Sequence, residues 1–207
     1  MTNQLGFYFD ASLCTGCKVC QVACQDKNHL PPEIIWRKVV QYGGGNWIPQ
    51  GDIHVPNNLG IVSLSAACMH CDQPTCMQVC PTAAISKRSD GVVLIDQSKC
   101  IGCRYCQWAC PYDAPRFDEA AGVMTKCTFC EDLLGKGENP ACVDACVMRA
   151  IKFGEMDELR AKYGNVNAVE PLPEAKYTMP SLVITPHKHS QISGTGTGRI
   201  LNLPEEM

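Results

Sequence analysis

Sixteen of the 207 residues are cysteine, and their spacing is ordered enough to state what chemistry they could do. Two runs read C-x2-C-x2-C-x3-C: Cys14, Cys17, Cys20, Cys24 and Cys100, Cys103, Cys106, Cys110. Two others open with C-x2-C and close with P-x-C-x3-C: Cys68, Cys71, Cys76, Cys80 and Cys127, Cys130, Cys142, Cys146. The two types alternate along the sequence, and no cysteine is left over. In the first type, three closely spaced thiolates bind three irons of one cubane [4Fe–4S] cluster, and a short helix carries the fourth cysteine to a neighbouring cluster. Gly16 and Gly102 fit a loop whose backbone must approach the sulfides closely. The proline after Cys80 and Cys110 completes the bacterial two-cluster signature, which Cys24 and Cys146 lack. Four [4Fe–4S] clusters are therefore the expected cofactors.

Competing uses of cysteine fit less well. Tetrahedral zinc also takes C-x2-C pairs, but three-cysteine runs with two-residue gaps suit a cube better than a tetrahedron. Disulfide scaffolds are secreted and mostly shorter than about 80 residues, and this N-terminus carries no basic segment followed by an apolar stretch. No C-x2-C is followed by the histidine of a c-type haem site.

The elements that must position these ligands repeat as well. Phe9–Cys24 aligns without gaps on Ile95–Cys110, nine of sixteen positions being identical, among them Asp10 with Asp96, Ser12 with Ser98 and Gln21 with Gln107. Cys80 and Cys110 each lead into a short turn or helix and then two β-prone runs around a glycine-containing turn. Cys146 leads into VMRAIKFG, with Ala150 and Ile151 at the offset of Ala84 and Ile85. The expected fold is α+β: a ferredoxin-like two-cluster unit built twice. Residues 27–58, with QYGGGNW at their middle, read as an inserted loop region, and residues 163–207, rich in proline and glycine, as an irregular tail laid over other surfaces. Each unit should combine one motif of each type, so either neighbouring motifs pair in order or the outer motifs embrace the inner ones. The spacing does not choose.

The formal charge of −3 counts cysteine as neutral. Four clusters at −2 each, thiolates included, take it to about −11, which argues against a nucleic-acid partner. The longest uncharged stretch, Ile53–Cys71, holds His54, Pro56, Asn57, Asn58 and His70, so a direct membrane span is not expected. With the thiols occupied as ligands, no catalytic residue set is expected either.

The opening GFYFDASLCTGCKVCQVAC, the CIGCRYC…ACPY block, the MTKC…C block and FGEMDELRAKYGN ahead of PLP together resemble the iron–sulfur subunits of anaerobic dimethyl sulfoxide reductases. These are among the four-cluster electron-transfer subunits of complex molybdoenzymes, and the likeness covers almost the whole sequence. The resemblance implies the nested arrangement. Cys14, Cys17, Cys20 and Cys146 would hold one cluster, and Cys24, Cys127, Cys130 and Cys142 the second. Cys68, Cys71, Cys76 and Cys110 would hold the third, and Cys80, Cys100, Cys103 and Cys106 the fourth. The outer unit would then comprise residues 1–26 with 127–162, and the inner unit 59–126. In related nitrate reductase subunits a tryptophan stands at the position of Cys103 and leaves a three-iron cluster; here the cysteine implies four cubanes.

The resemblance also implies partners. These are a catalytic subunit with a molybdenum bis(pyranopterin guanine dinucleotide) cofactor and a membrane anchor that oxidises menaquinol. The protein would be peripheral on the periplasmic face of the cytoplasmic membrane, exported with the catalytic subunit. The same relay in a formate, thiosulfate, polysulfide or tetrathionate enzyme is the alternative.

Outside the cysteines, Lys18, Lys99, Arg104, Lys126 and Arg149 lie beside or between ligands. A nearby cation raises a cluster's potential, and Arg104, between Cys103 and Cys106, is the best placed. His187 and His189 lack further ligands nearby, GTGTGR lacks the Lys-Ser/Thr of a phosphate loop, and Trp47, Tyr105 and Trp108 fit aromatic packing as well as a place near electron paths.

Overall fold

The computed structural model describes residues 3–203, without the side chains of Asn58 and Leu59. In sequence order the elements are β1 (Leu5–Asp10), α1 (Val19–Lys27), β2 (Lys38–Gln50), β3 (Ile53–Ala66), α2 (Thr75–Gln78), β4 (Ile85–Lys87), β5 (Val93–Ile95) and α3 (Tyr105–Ala109). They continue with β6 (Arg116–Asp118), β7 (Val123–Thr125), α4 (Glu131–Leu134), α5 (Ala141–Asp144), β8 (Ile151–Glu155), α6 (Met156–Tyr163), a 3-10 turn (Ala175–Tyr177), β9 (Leu182–Thr185) and β10 (Arg199–Ile200). Short helices carry cysteines and short strands close the loops, a mixed α and β architecture as the repeat implies.

The first sheet has the order β8-β1-β9, so the N-terminal strand is held in the middle by two strands from the last third of the sequence. β1 runs antiparallel to β8, with Phe7 opposite Phe153 and Phe9 opposite Ile151, and parallel to β9, with Phe9 opposite Ile184. Alternation sends Phe7 and Phe9 to one face and Tyr8 to the other. Phe7 and Phe9 join Phe129, Ile151, Leu182 and Ile184 in the main core, while Tyr8 and Val183 pack on Met156 and Leu159 of α6. Phe129, with no exposed surface, stacks on Phe7 at 4.2 Å between ring centroids.

Two expectations are corrected. Within the region read as inserted loop, Lys38–Gln50 is a strand that pairs with Ile53–Ala66 in a long antiparallel hairpin. Gly43, Gly44, Gly45, Pro49 and Pro56 disguise it, since glycine and proline are poor strand formers. β10 pairs with β2 at Tyr42 and Gly43, and beyond them the hairpin has no third strand on either edge and tolerates the others, a bulge between Gly44 and Asn46 absorbing the misfit. Gly51 makes the two-residue turn with φ +64°. At the base, Val39, Tyr42, Val62 and Leu64 are buried. The tail, too, is more than a covering. β9 is a buried edge strand of the first sheet, and Asn202 latches the hairpin by accepting from the N–H of Gln41 at 2.8 Å and donating to the carbonyl of Val39 at 2.9 Å.

The hairpins expected after Cys80 and Cys110 are present as β4–β5 and β6–β7. They pack a second, smaller core of Ile85, Val93 and Met124 around Cys76 and Cys106. Among the described residues no helix is long and apolar enough to cross a membrane.

Candidate iron–sulfur centres

The duplicated sequence folds into duplicated local geometry. In both first-type runs the Asp carboxylate accepts from the Ser two residues on: Asp10 from Ser12 N–H at 2.9 Å and hydroxyl at 2.6 Å, Asp96 from Ser98 at 3.0 and 2.6 Å. Gly16 and Gly102 take φ +73° and +67°, and Lys18 and Arg104 follow at +61° and +63° immediately before α1 and α3. Two left-handed residues in five turn the loop tightly enough for its three cysteines to face one centre. In the second-type motifs His70 and Phe129 hold matching left-handed positions (φ +42° and +61°). After the last cysteine, Ala83, Asp113 and Arg149, each three residues beyond Cys80, Cys110 and Cys146, are left-handed again. This aims the next N–H back at sulfur: Ala150 donates to Cys146 Sγ at 3.3 Å. N–H groups of Ala84 and Ala114 act on Cys80 and Cys110 in the same way.

All sixteen cysteines are free thiols. Cys14, Cys17, Cys20 and Cys146 line one cavity, partly open to solvent, with Phe9, Val39 and Ser65. Cys68, Cys71, Cys76 and Cys110 line a second with Pro74, Val93, Tyr112 and Thr178. Cys24 interacts electrostatically with Cys142 and Cys130, Cys127 with Cys24, Cys68 and Cys142, and Cys106 with Cys100, Cys103 and Cys80. Two quartets of cysteines thus line cavities of their own.

Burial pushes the thiols of Cys24, Cys71 and Cys76 up to about 12, and that of Cys106 to about 11, mutual repulsion adding to it. Cys80 goes the other way: its modest burial is outweighed by hydrogen bonds from the Thr82 hydroxyl and from the N–H groups of Thr82, Ala84 and Ile85. Crowded buried thiols of this kind ionise only against a compensating cation, which iron supplies.

Whether the residues fit a cubane can be judged from what the quartets surround. Among the described residues no three His, Cys, Asp or Glu side chains converge tightly enough for a single ion. All-sulfur donor sets lining two cavities are the donor chemistry that a multi-iron core takes. A buried polar atom beside the quartets, His70 Nε2, has no protein partner. His70 Nδ1 accepts the Val93 N–H at 3.0 Å, and burial, with Lys126 and Arg37 nearby, keeps the ring neutral, so Nε2 carries the proton. Gly102 is a close-approach position: a Cβ there would sit 2.4 Å from the Gly122 carbonyl oxygen.

The other singled-out residues divide. Lys126 is buried and lines the second cavity, its ammonium donating to the Val93 and Cys127 carbonyls. Arg104 lies flat on the Phe117 ring at 3.8 Å, Lys99 pairs with Asp96 at 3.0 Å, and Arg149 donates to the Asp144 carbonyl at 2.9 Å. The His187 and His189 rings are 5.3 Å apart, with no third ligand among the described residues. The glycines of GTGTGR cradle an internal anion, Gly194 and Gly196 donating to Glu170 Oε1 at 2.8 and 3.0 Å. Trp108 and Tyr105 are exposed beside the Cys100–Cys106 loop. Sequence reading missed Arg37, which lies outside every cysteine motif. Its signal was a pair of cations, Arg37 and Lys38, inside the apolar run Ile34-Ile35-Trp36-Arg37-Lys38-Val39-Val40.

Comparison with known proteins agrees with this geometry. A family model described as a 4Fe-4S dicluster domain matches residues 60–156. The B subunit of anaerobic dimethyl sulfoxide reductase from Escherichia coli (strain K12) is 46% identical over 207 residues, the full length of both proteins. The B subunit of polysulfide reductase from Wolinella succinogenes is 35% identical over 93% of this sequence and 99% of its own. The thiosulfate reductase electron transfer subunit PhsB of Salmonella typhi is 39% identical over 76% of this sequence and 79% of its own. With sixteen cysteines, enough for four [4Fe–4S] clusters, and full-length identity at that level, the protein belongs to the family of anaerobic dimethyl sulfoxide reductase iron–sulfur subunits, which are electron-transfer subunits.

Proposed function

We propose that the protein relays single electrons from a quinol-oxidising membrane anchor to a molybdenum catalytic subunit, with dimethyl sulfoxide as the terminal acceptor, and performs no bond chemistry itself. The ligand sets are nested: Cys14, Cys17, Cys20 with Cys146; Cys24 with Cys127, Cys130, Cys142; Cys68, Cys71, Cys76 with Cys110; Cys80 with Cys100, Cys103, Cys106. The observation that carries this reading is that Cys146 shares a cavity with Cys14, Cys17 and Cys20, whereas pairing in sequence order would put Cys80 there. Two ferredoxin-like units follow, an outer one of residues 1–26 and 127–162 and an inner one of 59–126.

Each cluster supplies a one-electron centre. What the polypeptide contributes is their order and insulation. α1 carries Cys20 and Cys24 about one turn apart (roughly 5.4 Å of rise), joining the first set to the second. Cys68 and Cys127 share one buried apolar cluster, joining the second to the third, and α3 with its C-cap carries Cys106 and Cys110, joining the third to the fourth. All four cysteines of the second set are buried and three of the third, whereas three in each of the first and fourth sets are partly or fully exposed. The line therefore runs from rim through interior to rim, which suits entry at one partner and exit at another. The catalytic subunit would carry the molybdenum bis(pyranopterin guanine dinucleotide) cofactor and the anchor would oxidise menaquinol, on the periplasmic face of the cytoplasmic membrane.

The test is Cys146→Ser in the purified complex, read by electron paramagnetic resonance and hydrogen exchange. The expected result is a perturbed cluster and raised exchange around Cys14–Cys20, with the Cys100–Cys106 loop still protected. Exchange raised only around Cys100–Cys106 would refute nesting. The large subunit that co-purifies identifies the acceptor.

A further inference from the structure

Arg37 is 3% exposed, and among the described residues no carboxylate pairs with it. Its Nη1 donates to Ser65 Oγ at 3.1 Å and more weakly to the Ser65 carbonyl at 3.5 Å. The guanidinium carbon stands 4.8 Å over the Phe7 ring, and the buried guanidinium also donates a hydrogen bond to the Cys142 sulfur. Ser65 Oγ in turn lies 3.2 Å from Cys20 Sγ and lines the cavity of Cys14, Cys17, Cys20 and Cys146. A guanidinium cannot shed its charge, and a buried charge is retained only where an opposite charge or full hydrogen bonding offsets its desolvation. The groups that offset it here are thiolates. Burial works against the charge, and Cys142, Cys20, Cys127 and Cys24 together outweigh it.

Those four sulfurs belong to two clusters. Cys20 sits in the first set; Cys24, Cys127 and Cys142 sit in the second. Arg37 thus differs from Lys126, whose ammonium is spent on two backbone carbonyls, and from Arg104, which lies on an aromatic ring at the rim. We infer that Arg37 is the shared counter-charge of the two clusters joined by helix α1, raising the reduction potentials of both. Taking up one electron changes each cluster from −2 to −3, thiolates included, with no bond made or broken. A fixed cation between the two stabilises the reduced state of each and weakens their repulsion when both are reduced. The inference rests on the cluster reading and the nested grouping proposed above; under pairing in sequence order the same four sulfurs would fall in three clusters, an outcome that the Cys146→Ser experiment distinguishes.

The experiment is a redox titration of the purified complex followed by electron paramagnetic resonance, for wild type, Arg37→Gln, Arg37→Met and Arg37→Lys. Cys20→Ser and Cys24→Ser variants identify the two signals. In the neutral variants the midpoint potentials of the Cys20 and Cys24 clusters both fall, the other two stay fixed, and iron and sulfide remain at wild-type content. Arg37→Lys recovers most of the fall. Unchanged potentials at full iron content overturn the inference, as does a fall that lysine fails to reverse, since packing rather than charge would then be at work. If the neutral variants lose these two clusters, retention by Arg37→Lys supports the counter-charge role and equal loss in Arg37→Lys overturns it. A wild-type complex without iron–sulfur signals would instead refute the cluster reading itself.

Discussion

Gly102 and Gly122 separate two physical effects that are usually confounded. Both are left-handed, with φ +67° and +69°. A Cβ at Gly122 would meet nothing within 4 Å, whereas at Gly102 it would lie 2.4 Å from the Gly122 carbonyl oxygen and 3.0 Å from Phe117 Cε2. Gly122→Ala therefore costs only the left-handed strain of an L-residue, about 1–2 kcal/mol, less what alanine removes from unfolded-state entropy, about 0.4–1 kcal/mol. Gly102→Ala bears the same strain and must also push the β6–β7 turn away from the cysteine loop, which as overpacking costs a further ~1–3 kcal/mol. The loop concerned carries Cys100, Cys103 and Cys106, so the penalty falls on local opening at that cluster. Iron release to a chelator, followed by bleaching of the visible absorbance, should run roughly 5- to 150-fold faster in Gly102→Ala than in Gly122→Ala, the equivalent of that extra 1–3 kcal/mol. Equal rates for the two variants would show that the close approach does not constrain the loop.

Cys103→Ser should leave its cluster short of one ligand. Electron paramagnetic resonance should find a three-iron cluster there with a higher potential, and an unchanged cubane would mean that Cys103 is not a ligand. Phe129→Ala removes a fully buried ring that stacks on Phe7 and meets His70 and Phe153 edge-on. It should cost about 3–5 kcal/mol, read from chemical denaturation of the holoprotein, and a loss under about 1 kcal/mol would contradict the packing described.

What the sequence made legible was local and repetitive. Cysteine spacing, the Asp10–Ser12 and Asp96–Ser98 pairs, Gly16 with Gly102 and the hairpins after Cys80 and Cys110 are each governed by residues within a few positions of one another, and duplication states each rule twice. What stayed hidden depends on distant partners. Leu182–Thr185 has strong strand character but lies in a proline-rich context, and pairing with β1 makes it a strand of the first sheet. The β2–β3 hairpin was masked by three consecutive glycines and two prolines, of which all but Gly43 lie beyond the stretch that β10 pairs. Spacing left the pairing of ligand sets open because Cys146 meets Cys14, Cys17 and Cys20 only through the β1–β8 pairing. Arg37 escaped for a related reason: its neighbours Ser65, Cys127 and Cys142 are remote in sequence, and the residues beside it, Trp36 and Lys38, point elsewhere, to Thr125 and Asp113.

The central claim is that every cysteine is a cluster ligand. It is tested most directly by iron, acid-labile sulfide and zinc analysis of the anaerobically purified complex, counted per copy of this protein after subtracting any cluster of the catalytic subunit. Sixteen cysteines at four per cubane predict about sixteen iron and about sixteen sulfide, without zinc. Stoichiometric zinc with no sulfide would contradict the account.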